Sequence, residues 1–330
     1  MNLPWIESPF FNEILVEKNL DEEKKKLAIE YNKNGYITLN GLIEAEKIDA
    51  LVIELKEKAF TPEYKPRIPS RDNTRVQDFW IDSDLAKSIA CNRKILDLLE
   101  CFYERNPIPF QTLNFRVGTQ QKGHSDAIHF NSIPSKYMCG VWVALEDINE
   151  ENGPLFYYPG SHKLPEYNIS DIITEAKTTT YDDYLKYEVF LEKLMVASGL
   201  EKKIFKAKKG DILIWSANLV HGGSPVTNPS LSRFSQVTHY FFENCLYYTP
   251  MTSNMVTKEL YLRHDLINIK TGKKIEQNYN HQELHPIITN TYKDESVDAK
   301  WGYLNFNKNK SNIIDIMVKK IKLLINCFSN

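Results

Sequence analysis

The sequence has no long hydrophobic run. No stretch approaches the roughly 20 consecutive apolar residues that an α-helix needs to cross a bilayer. The N-terminus, Met-Asn-Leu-Pro-Trp-Ile-Glu-Ser-Pro-Phe, also lacks the basic start and the apolar core of a secretory signal. These absences argue against a membrane-spanning or exported chain, and we expect a cytoplasmic protein.

Cysteine is scarce, and neither sign of charge is in excess. The five cysteines are odd in number and show no metal-ligand spacing, which argues against a disulfide framework. With 41 Lys and Arg residues against 43 Asp and Glu, the net charge of -2 gives no reason to expect a nucleic-acid partner. No internal repeat is apparent. With 42% hydrophobic residues, a chain of 330 residues can bury a large core as one elaborated domain.

The most informative pattern is His124-Ser-Asp126, followed far downstream by His221. Successive side chains on a β-strand point to opposite faces, so His124 and Asp126 are predicted to share one face and to bind one ion. His221 follows the apolar run Asp211–Trp215 and precedes Gly222-Gly223, which suggests a ligand carried into a tight turn. Two histidines and one carboxylate are the facial triad of non-heme Fe(II) oxygenases. The tripeptide alone would be weak evidence, because a lone histidine is more often a packed core or surface residue.

Two longer segments resemble the phytanoyl-CoA dioxygenase family. Residues 123–163 (GHSDAIHFNSIPSKYMCGVWVALEDINEENGPLFYYPGSHK) contain that family's H-x-D motif, its W-x-A-(L/M) strand, its N-G-x-L turn and its P-G-(S/T)-H-K motif. Residues 215–243, with HGGSPVTNPSLSRFSQVTHYFFE, resemble the family's distal histidine, the arginine about a dozen residues later and the closing strand. Together the two segments make up about a fifth of the chain.

The resemblance implies an Fe(II)- and 2-oxoglutarate-dependent dioxygenase. It implies that His124, Asp126 and His221 bind Fe(II), and that Arg233 pairs with the distal carboxylate of 2-oxoglutarate. A planar and permanently charged guanidinium suits that task, although a surface ion pair is the alternative for Arg233. The reaction would consume O2, release succinate and CO2, and hydroxylate an unactivated C–H bond. Halogenating relatives have a small residue at the position of Asp126, so hydroxylation is favoured.

Further polar side chains are candidates for contact with 2-oxoglutarate. Ser224 could donate its hydroxyl to the carboxylate that Arg233 binds. Trp142 matches a family tryptophan beside the cosubstrate, although a tryptophan on a buried strand more often packs in the core. Gln111 and Asn114 are three residues apart on one predicted strand, so only one of them should point inward, and Gln111 is favoured.

Three other histidines have alternative roles. His129 would face away from His124 on a regular strand, so a structural or substrate-pocket role is predicted instead of metal ligation. His162, in a turn, is predicted to bond to backbone groups. His239 shares a face with Arg233 if the strand is regular, and it is either a residue that supports the ligands or a satisfied core histidine.

The sequence predicts a mainly β fold with flanking α-helices, in which the core is a double-stranded β-helix (jelly roll, cupin-like). We expect a helical N-terminal support at 1–108 and a β-helix core at 109–250, with a helical insertion at about 165–202 over the barrel mouth. A C-terminal extension follows at 251–330. Its amphipathic tail, 312–328, is predicted to be a helix that packs on the core or on a second subunit, with membrane contact as the alternative.

Within this frame, the periodicity predicts the following elements. Helices are predicted at 20–34, 44–60 and 87–104, a loop at 61–80, and strands at 35–39, 109–115, 139–145, 203–205, 211–215 and 234–242.

The substrate is predicted only as a class. No CoA-binding signature is present, and a group of tyrosines favours a carbohydrate or surface-glycan precursor, although aromatic residues also fill cores. These residues are Tyr157, Tyr158, Tyr167, Tyr181, Tyr184 and Tyr187. Two other functions stay open: a metal-binding cupin-type isomerase or non-catalytic sensor, in which Arg233 would not govern 2-oxoglutarate affinity, and a membrane-docked interaction protein that uses the tail.

Overall fold

The computed structural model describes residues 3–66, 68, 74–173, 180–253, 259–279, 282–283 and 302–305. The α-helices in these ranges are α1 (Phe11–Glu17), α2 (Glu22–Asn34), α3 (Ala45–Glu54), α4 (Asp84–Ala90), α5 (Arg93–Tyr103), α6 (Ile169–Ile172) and α7 (Tyr181–Ala197). The strands are β1 (Tyr36–Leu39), β2 (Arg75–Gln77), β3 (Pro107–Phe115), β4 (Asn131–Ile133), β5 (Met138–Ala144), β6 (Leu155–Tyr157), β7 (Lys203–Phe205), β8 (Ile212–Ser216), β9 (His221–Gly223), β10 (Ser235–Phe242), β11 (Leu246–Tyr248), β12 (Glu259–Leu262), β13 (Ile267–Asn268), β14 (Lys273–Lys274), β15 (Asn278–Tyr279), β16 (Gln282–Glu283) and β17 (Gly302–Asn305).

A six-stranded antiparallel sheet forms the centre of the fold, with the strand order β1-β8-β5-β10-β3-β2. Its side chains alternate between two buried faces. On β5, Val141 and Val143 pack among the helices, whereas Trp142 and Ala144 point to the opposite face. The sheet is therefore covered on both sides, which explains why its neighbouring strands β5 and β8 are hydrophobic almost without interruption.

A three-stranded antiparallel sheet, β7-β6-β9, covers the inner face of the six-stranded sheet. Leu155 of β6 and Phe205 of β7 pack in one cluster with Trp142 and Leu213 of the larger sheet. Two facing sheets that bury a shared interior are the architecture expected of a jelly roll. The predicted mainly β fold with flanking helices is confirmed.

The N-terminal helices cover the outer face of the six-stranded sheet. On α5, Ile95, Leu99 and Phe102 are buried at helical spacing and belong to the same cluster as the outward side chains of β5. The helices predicted at 20–34 and 44–60 are present as α2 and α3, and α3 continues into a π-helical turn at Leu55–Ala59.

Two predicted elements were wrong in part. The helix expected at 87–104 is interrupted, because the side chain of Asn92 accepts the backbone N–H groups of Lys94 and Ile95 and thereby caps a new helix, α5. The loop expected at 61–80 contains β2, whose Val76 pairs with Asn114 of β3, and then a short 3-10 turn. Pairing with the edge of β3 gives this polar segment its extended form.

Within 165–202, where a helical insertion is predicted, the described residues form helices α6 and α7. Beyond the core, β12 joins β17, β11 and β4 in a four-stranded sheet. The helix predicted for the tail at 312–328 lies outside the described residues. Within the described ranges, no helix combines the length and the apolar character required to traverse a bilayer.

A buried histidine connects the 3-10 turn Ser161–Lys163 to α2. The Nε2 atom of His162 lies 3.0 Å from the carbonyl oxygen of Asn32, so the predicted bond to the backbone is confirmed. The imidazole packs against Gly35, which has φ of +80° and whose added Cβ would lie 2.4 Å from His162 Nδ1. Glycine is therefore required here both by backbone conformation and by space. Burial lowers the pKa of His162 from 6.5 to about 4.

The lowered pKa predicts an acid-sensitive fold. As the pH falls from about 6.5 to about 4, the unfolded chain binds a proton at this position before the folded protein does, so the free energy of unfolding decreases. For the metal-free protein we expect His162 to account for a loss of about 2 kcal/mol between pH 7 and pH 5. Urea unfolding of the wild type and of His162→Gln at both pH values measures this contribution. The loss should be smaller in the variant, and an equal loss in both proteins would contradict the prediction.

Candidate metal centre

Two of the predicted ligands are direct neighbours across a β-bridge. The backbone N–H of His124 donates to the carbonyl of His221 at 2.9 Å, and the N–H of His221 donates to the carbonyl of His124 at 3.0 Å. Directly paired residues project their side chains to the same face of a sheet. The two imidazole rings consequently lie side by side, with 4.6 Å between their centroids.

Asp126 reaches the histidines from a turn. The prediction that His124 and Asp126 lie on one regular strand was wrong, because Asp126 begins a 3-10 turn that ends at Ile128. Ser125 explains the change of direction: its hydroxyl donates to the carbonyl of Ala217 at 3.0 Å and accepts the N–H of Ala127. The chain is held at Ser125 and bends there, which turns the Asp126 carboxylate toward the imidazoles.

The glycines after His221 also have a different role from the one predicted. His221 begins strand β9 and does not enter a tight turn. A Cβ added to Gly222 would lie 2.6 Å from the carbonyl oxygen of Gln121, and one added to Gly223 would lie 2.8 Å from Thr119 Oγ1. The two glycines therefore allow the ligand strand to pack closely against the segment that leads to His124.

The three side chains form a compact set of metal donors. One ligand atom from each of His124, Asp126 and His221 lies within 4.8 Å of the others, and all three residues are buried. The Nδ1 atoms of His124 and His221 lie 3.0 Å and 2.9 Å from the carbonyl oxygens of Lys122 and Leu219. Because a carbonyl only accepts, each Nδ1 carries the proton, and each Nε2 keeps its lone pair for a metal ion.

The electrostatics of the set suit a divalent cation. Burial and, to a smaller extent, the neighbouring imidazole of His221 lower the pKa of His124 to about 4. Burial opposes ionisation of Asp126, but the imidazoles of His221, His239 and His124 outweigh it and hold the pKa of this carboxyl well below its usual range. At neutral pH the set thus offers a carboxylate and a neutral imidazole at His124, a donor set that fits Fe(II) in a facial triad.

A tryptophan and a further histidine hold the Asp126 carboxylate in place. The indole N–H of Trp215 donates to Asp126 Oδ2 at 2.8 Å, and Nε2 of His239 lies 3.6 Å from the same oxygen. Gly140 makes room for the indole, since a Cβ there would lie 2.3 Å from the Trp215 ring. His239 Nδ1 also lies 3.0 Å from Gln111 Oε1. This histidine therefore both lies next to a metal ligand and has a hydrogen-bond partner in the core.

The contact from Trp215 was missed in the sequence. The alternation along β8 does predict that Trp215 points toward the interior with Leu213, and both residues belong to the inner cluster. Nothing in the local pattern connects Trp215 with Asp126, which lies in a turn on another part of the chain. Only the packing of the two sheets shows that the indole and the carboxylate meet.

Arg233 is a buried charge without an ion-pair partner within 4 Å among the described residues, although the negative charge of Glu146 acts on it over a longer distance. Its side chain is 1% exposed, and no acidic side chain of the described residues lies within 4 Å of its guanidinium. The guanidinium carbon lies 5.5 Å from the ring of Phe115 and 5.9 Å from that of Trp142, and Nη1 donates to Ser235 Oγ at 2.9 Å. Burial lowers the pKa of Arg233 to about 10, which still leaves the group charged at neutral pH.

Three buried donors in this part of the interior have no hydrogen-bond partner within the described residues. They are Nε of Arg233, Nε1 of Trp142 and Oγ of Ser224. Buried polar atoms in proteins are almost always hydrogen-bonded, so an orphaned set indicates a ligand that carries acceptors. A carboxylate would satisfy such donors. The contacts of Trp142 and Ser224 with 2-oxoglutarate stay predictions.

Gln111 and Asn114 point to opposite faces of β3, as the spacing predicts. Gln111 reaches His239 on the inner face. Asn114 instead donates to Gln236 at 3.0 Å, and Gln236 donates to the carbonyl of Ala86 in α4, on the outer face. The geometry thus favours Gln111 over Asn114 as the residue near the metal ligands, while its contact with the cosubstrate stays a prediction.

Comparison with known proteins gives a family-level match. The model of the family "Phytanoyl-CoA dioxygenase (PhyH)" matches residues 31–235. Phytanoyl-CoA dioxygenase domain-containing protein 1 of Danio rerio is 26% identical over 53% of this chain and 59% of its own length. The peroxisomal phytanoyl-CoA dioxygenase of Rattus norvegicus is 24% identical over 66% of this chain and 68% of its own length. The chain therefore spans about three fifths to two thirds of these relatives.

Solved structures agree with the fold. The α-ketoglutarate-dependent carbocyclase SnoK superimposes with a TM-score of 0.54 at 16% identity, over 69% of this chain and 87% of that one. The epimerase SnoN gives 0.53 at 19% identity, over 68% of this chain and 85% of that one. EctD from S. alaskensis, solved with 2-oxoglutarate and 5-hydroxyectoine, gives 0.51 at 17% identity, over 68% of this chain and 76% of that one. At such low identities these likenesses show the fold alone.

The hydrogen bond from Trp215 to Asp126 predicts a measurable effect on metal affinity. In Trp215→Phe the carboxylate loses its main positioning donor, and we expect the affinity for Fe(II) to fall roughly 10–100-fold. Trp142→Phe is the matched control, because that indole N–H has no partner among the described residues. Anaerobic calorimetric titration of Fe(II) measures both variants, with His221→Ala as the variant that lacks a ligand. Equal affinities in the two tryptophan variants would contradict the assignment.

Proposed function

This chain belongs to the phytanoyl-CoA dioxygenase family, whose model spans residues 31–235, and we propose that it is an Fe(II)- and 2-oxoglutarate-dependent oxygenase of a small molecule. One observation carries the proposal: a buried triad of two histidines and one carboxylate shares the protein interior with a buried arginine that lacks an anionic partner among the described residues. The triad fits a divalent metal ion, and Arg233 fits the far end of a dicarboxylate.

The ligand assignment follows from the tautomers. His124 and His221 would bind the metal through Nε2, and Asp126 through a carboxylate oxygen. Three protein ligands on one side leave the opposite side for a chelating cosubstrate and O2. When bound, Fe(II) and 2-oxoglutarate supply the oxidising chemistry, in which the keto acid becomes succinate and CO2 and one oxygen atom enters a C–H bond of the substrate.

The chain's own task at the cosubstrate is recognition. Arg233 sits in a low-dielectric interior, where its attraction to a carboxylate is stronger than it would be in water. We assign Trp142 and Ser224 as further donors to the cosubstrate. The buried Nε1 atom of Trp142 and Oγ atom of Ser224 have no other hydrogen-bond partner among the described residues, which supports this assignment. Gln111 accepts from His239 through its Oε1, so its amide N–H group is the part that we assign to the cosubstrate.

Hydroxylation is the outcome that Asp126 favours. The carboxylate occupies the third protein position of the triad and is fixed there by Trp215. That position is then not available to a halide, and the substrate receives oxygen. The substrate itself we propose to be a polar small molecule, with a carbohydrate or surface-glycan precursor as the leading class. Of the tyrosines considered for such a ligand, Tyr157 packs between the two sheets and is better explained as core.

The role of Arg233 predicts a selective loss of cosubstrate affinity. Replacement by methionine leaves one carboxylate of 2-oxoglutarate without its cationic partner, which costs about 2–5 kcal/mol, or at least about 30-fold in affinity. Arg116→Met is the matched control. The backbone carbonyl of Arg116 accepts the N–H of Arg233, but the side chain of Arg116 is exposed. Anaerobic titration of 2-oxoglutarate into the Fe(II)-loaded proteins, followed by the metal-to-ligand charge-transfer band, measures the affinities.

The same titration distinguishes the alternative function. If folded, Fe(II)-loaded wild type gives no charge-transfer band, the oxygenase assignment fails and a cupin-type isomerase or sensor becomes the better explanation. If the band forms with equal affinity in the wild type and in Arg233→Met, the cosubstrate binds without the assigned anchor.

A further inference from the structure

Helix α7 of the insertion carries one acidic side chain within its buried stripe. The buried face of the helix repeats at three- and four-residue spacing and consists of Tyr184, Tyr187, Leu191 and Met195. Glu188 lies in the middle of this stripe and is 5% exposed. A carboxylate at such a position is unusual, because an apolar residue there would simply continue the packing.

The buried stripe faces the residues that flank the metal ligands. It packs in one cluster with Ile128, two residues after Asp126, and with Val220, which directly precedes His221. The ring of Tyr184 lies 5.1 Å from that of His129, and its hydroxyl accepts from Gln121 Nε2 at 3.4 Å. Helix α7 therefore packs against the segments that carry the metal ligands.

Glu188 also interacts electrostatically with one of the metal ligands. The negative charge of Glu188 acts on His124, and His124 in turn lowers the pKa of Glu188, so the two groups interact. Glu188 is nevertheless not part of the triad, since the close set of ligand atoms consists of His124, Asp126 and His221. Its charge thus acts on a metal ligand, although Glu188 is not a ligand itself.

No cationic side chain of the described residues lies within 4 Å of Glu188. Asp183, five residues earlier on the same helix, provides the contrast: it is also buried, but it pairs with Lys186 at 3.1 Å and with the Thr180 hydroxyl. Burial raises the pKa of Glu188, whereas His124, the exposed Lys122 and a hydrogen bond with the Tyr184 hydroxyl lower it, so the carboxylate has a neutral donor but no cation within 4 Å. A buried carboxylate without a cation is costly, and in natural proteins buried charges are paired.

We propose that Glu188 is the substrate-recognition carboxylate and that the substrate carries a protonated amine. This inference rests on the proposed oxygenase function and narrows its substrate class. An ammonium group would form a charge-assisted hydrogen bond with Glu188, and the face of the adjacent Tyr184 ring would stabilise the same cation. A polyanionic acyl-CoA would instead meet a carboxylate beside the metal, and repulsion would exclude it.

The interior then holds complementary charges for two ligands. Arg233 is the unpaired cation that receives the dicarboxylate cosubstrate, and Glu188 is the unpaired anion that receives the amine. The metal triad lies in the same interior and orients both ligands for reaction.

Pairs of ligands that differ in charge test the proposal. The Fe(II)- and 2-oxoglutarate-loaded protein is titrated anaerobically with four amines: glucosamine, galactosamine, putrescine and lysine. Each is compared with its N-acetyl derivative, in which the amine of the sugar ring, one amine of putrescine or the side-chain amine of lysine is acetylated. Binding is followed by the shift of the charge-transfer band and by the midpoint of thermal unfolding. We expect amines to bind roughly tenfold or more tightly than their acetylated partners.

The variants Glu188→Gln and Glu192→Gln separate recognition from structure. Glu192 lies one turn further along α7 and is exposed, so it is the matched control. In Glu188→Gln we expect the amine preference to disappear while the band with 2-oxoglutarate is kept. The metal-free variant should be at least as thermally stable as the wild type, because an unpaired buried charge has been removed. A structural carboxylate would give the opposite result, with a lower midpoint.

Each outcome decides one of the two proposals. No amine preference in the wild type, or an unchanged preference in Glu188→Gln, overturns the role of Glu188 even if the charge-transfer band is present. Absence of the band in the wild type instead overturns the oxygenase assignment itself.

Discussion

The backbone pairing of His124 with His221 is the constraint on which the site depends. These residues come from distant parts of the chain, and two reciprocal hydrogen bonds hold their backbones in register. The pairing requires that β9 pack closely against the segment before His124, which only glycine at 222 and 223 permits. Once the imidazoles are side by side, the turn at Ser125 needs to deliver only one carboxylate to complete a metal site. A small local error in register would separate the donors.

The second organising feature is the distribution of charge in a buried interior. The triad offers donors that suit a metal ion, and among the described residues Arg233 has no acidic side chain and Glu188 no cationic side chain within 4 Å. Burial of such groups lowers the stability of the folded protein, and apolar residues of similar volume would often be more stable in their place. Their retention is understandable if three different ligands supply the missing counter-charges. Stability of the empty protein is thus sacrificed for recognition.

Parts of this arrangement were predictable, and the failures have specific causes. The predicted family is confirmed, and the residues predicted at 124, 126 and 221 do form a compact set of metal donors, whereas the contact of Arg233 with the cosubstrate stays a prediction. The path of the chain between His124 and Asp126 was predicted incorrectly, because the bend depends on the bond from Ser125 to the distant carbonyl of Ala217. The break between α4 and α5 was missed for a related reason, since helical spacing of apolar residues continues through Asn92 while its side chain caps a new helix.

The sequence by itself determined the kinds of donor, the alternation of buried strands and the helical insertion, because each of these is encoded in side-chain chemistry and in short periodic patterns. The tertiary structure decided which distant groups meet. It brought the Trp215 indole to the Asp126 carboxylate, set Gln111 inward and Asn114 outward, and buried Arg233 and Glu188 where no described side chain of opposite charge lies within 4 Å. Those relations depend on how two sheets and one inserted helix pack together, and no local pattern records distances between segments that are far apart along the chain.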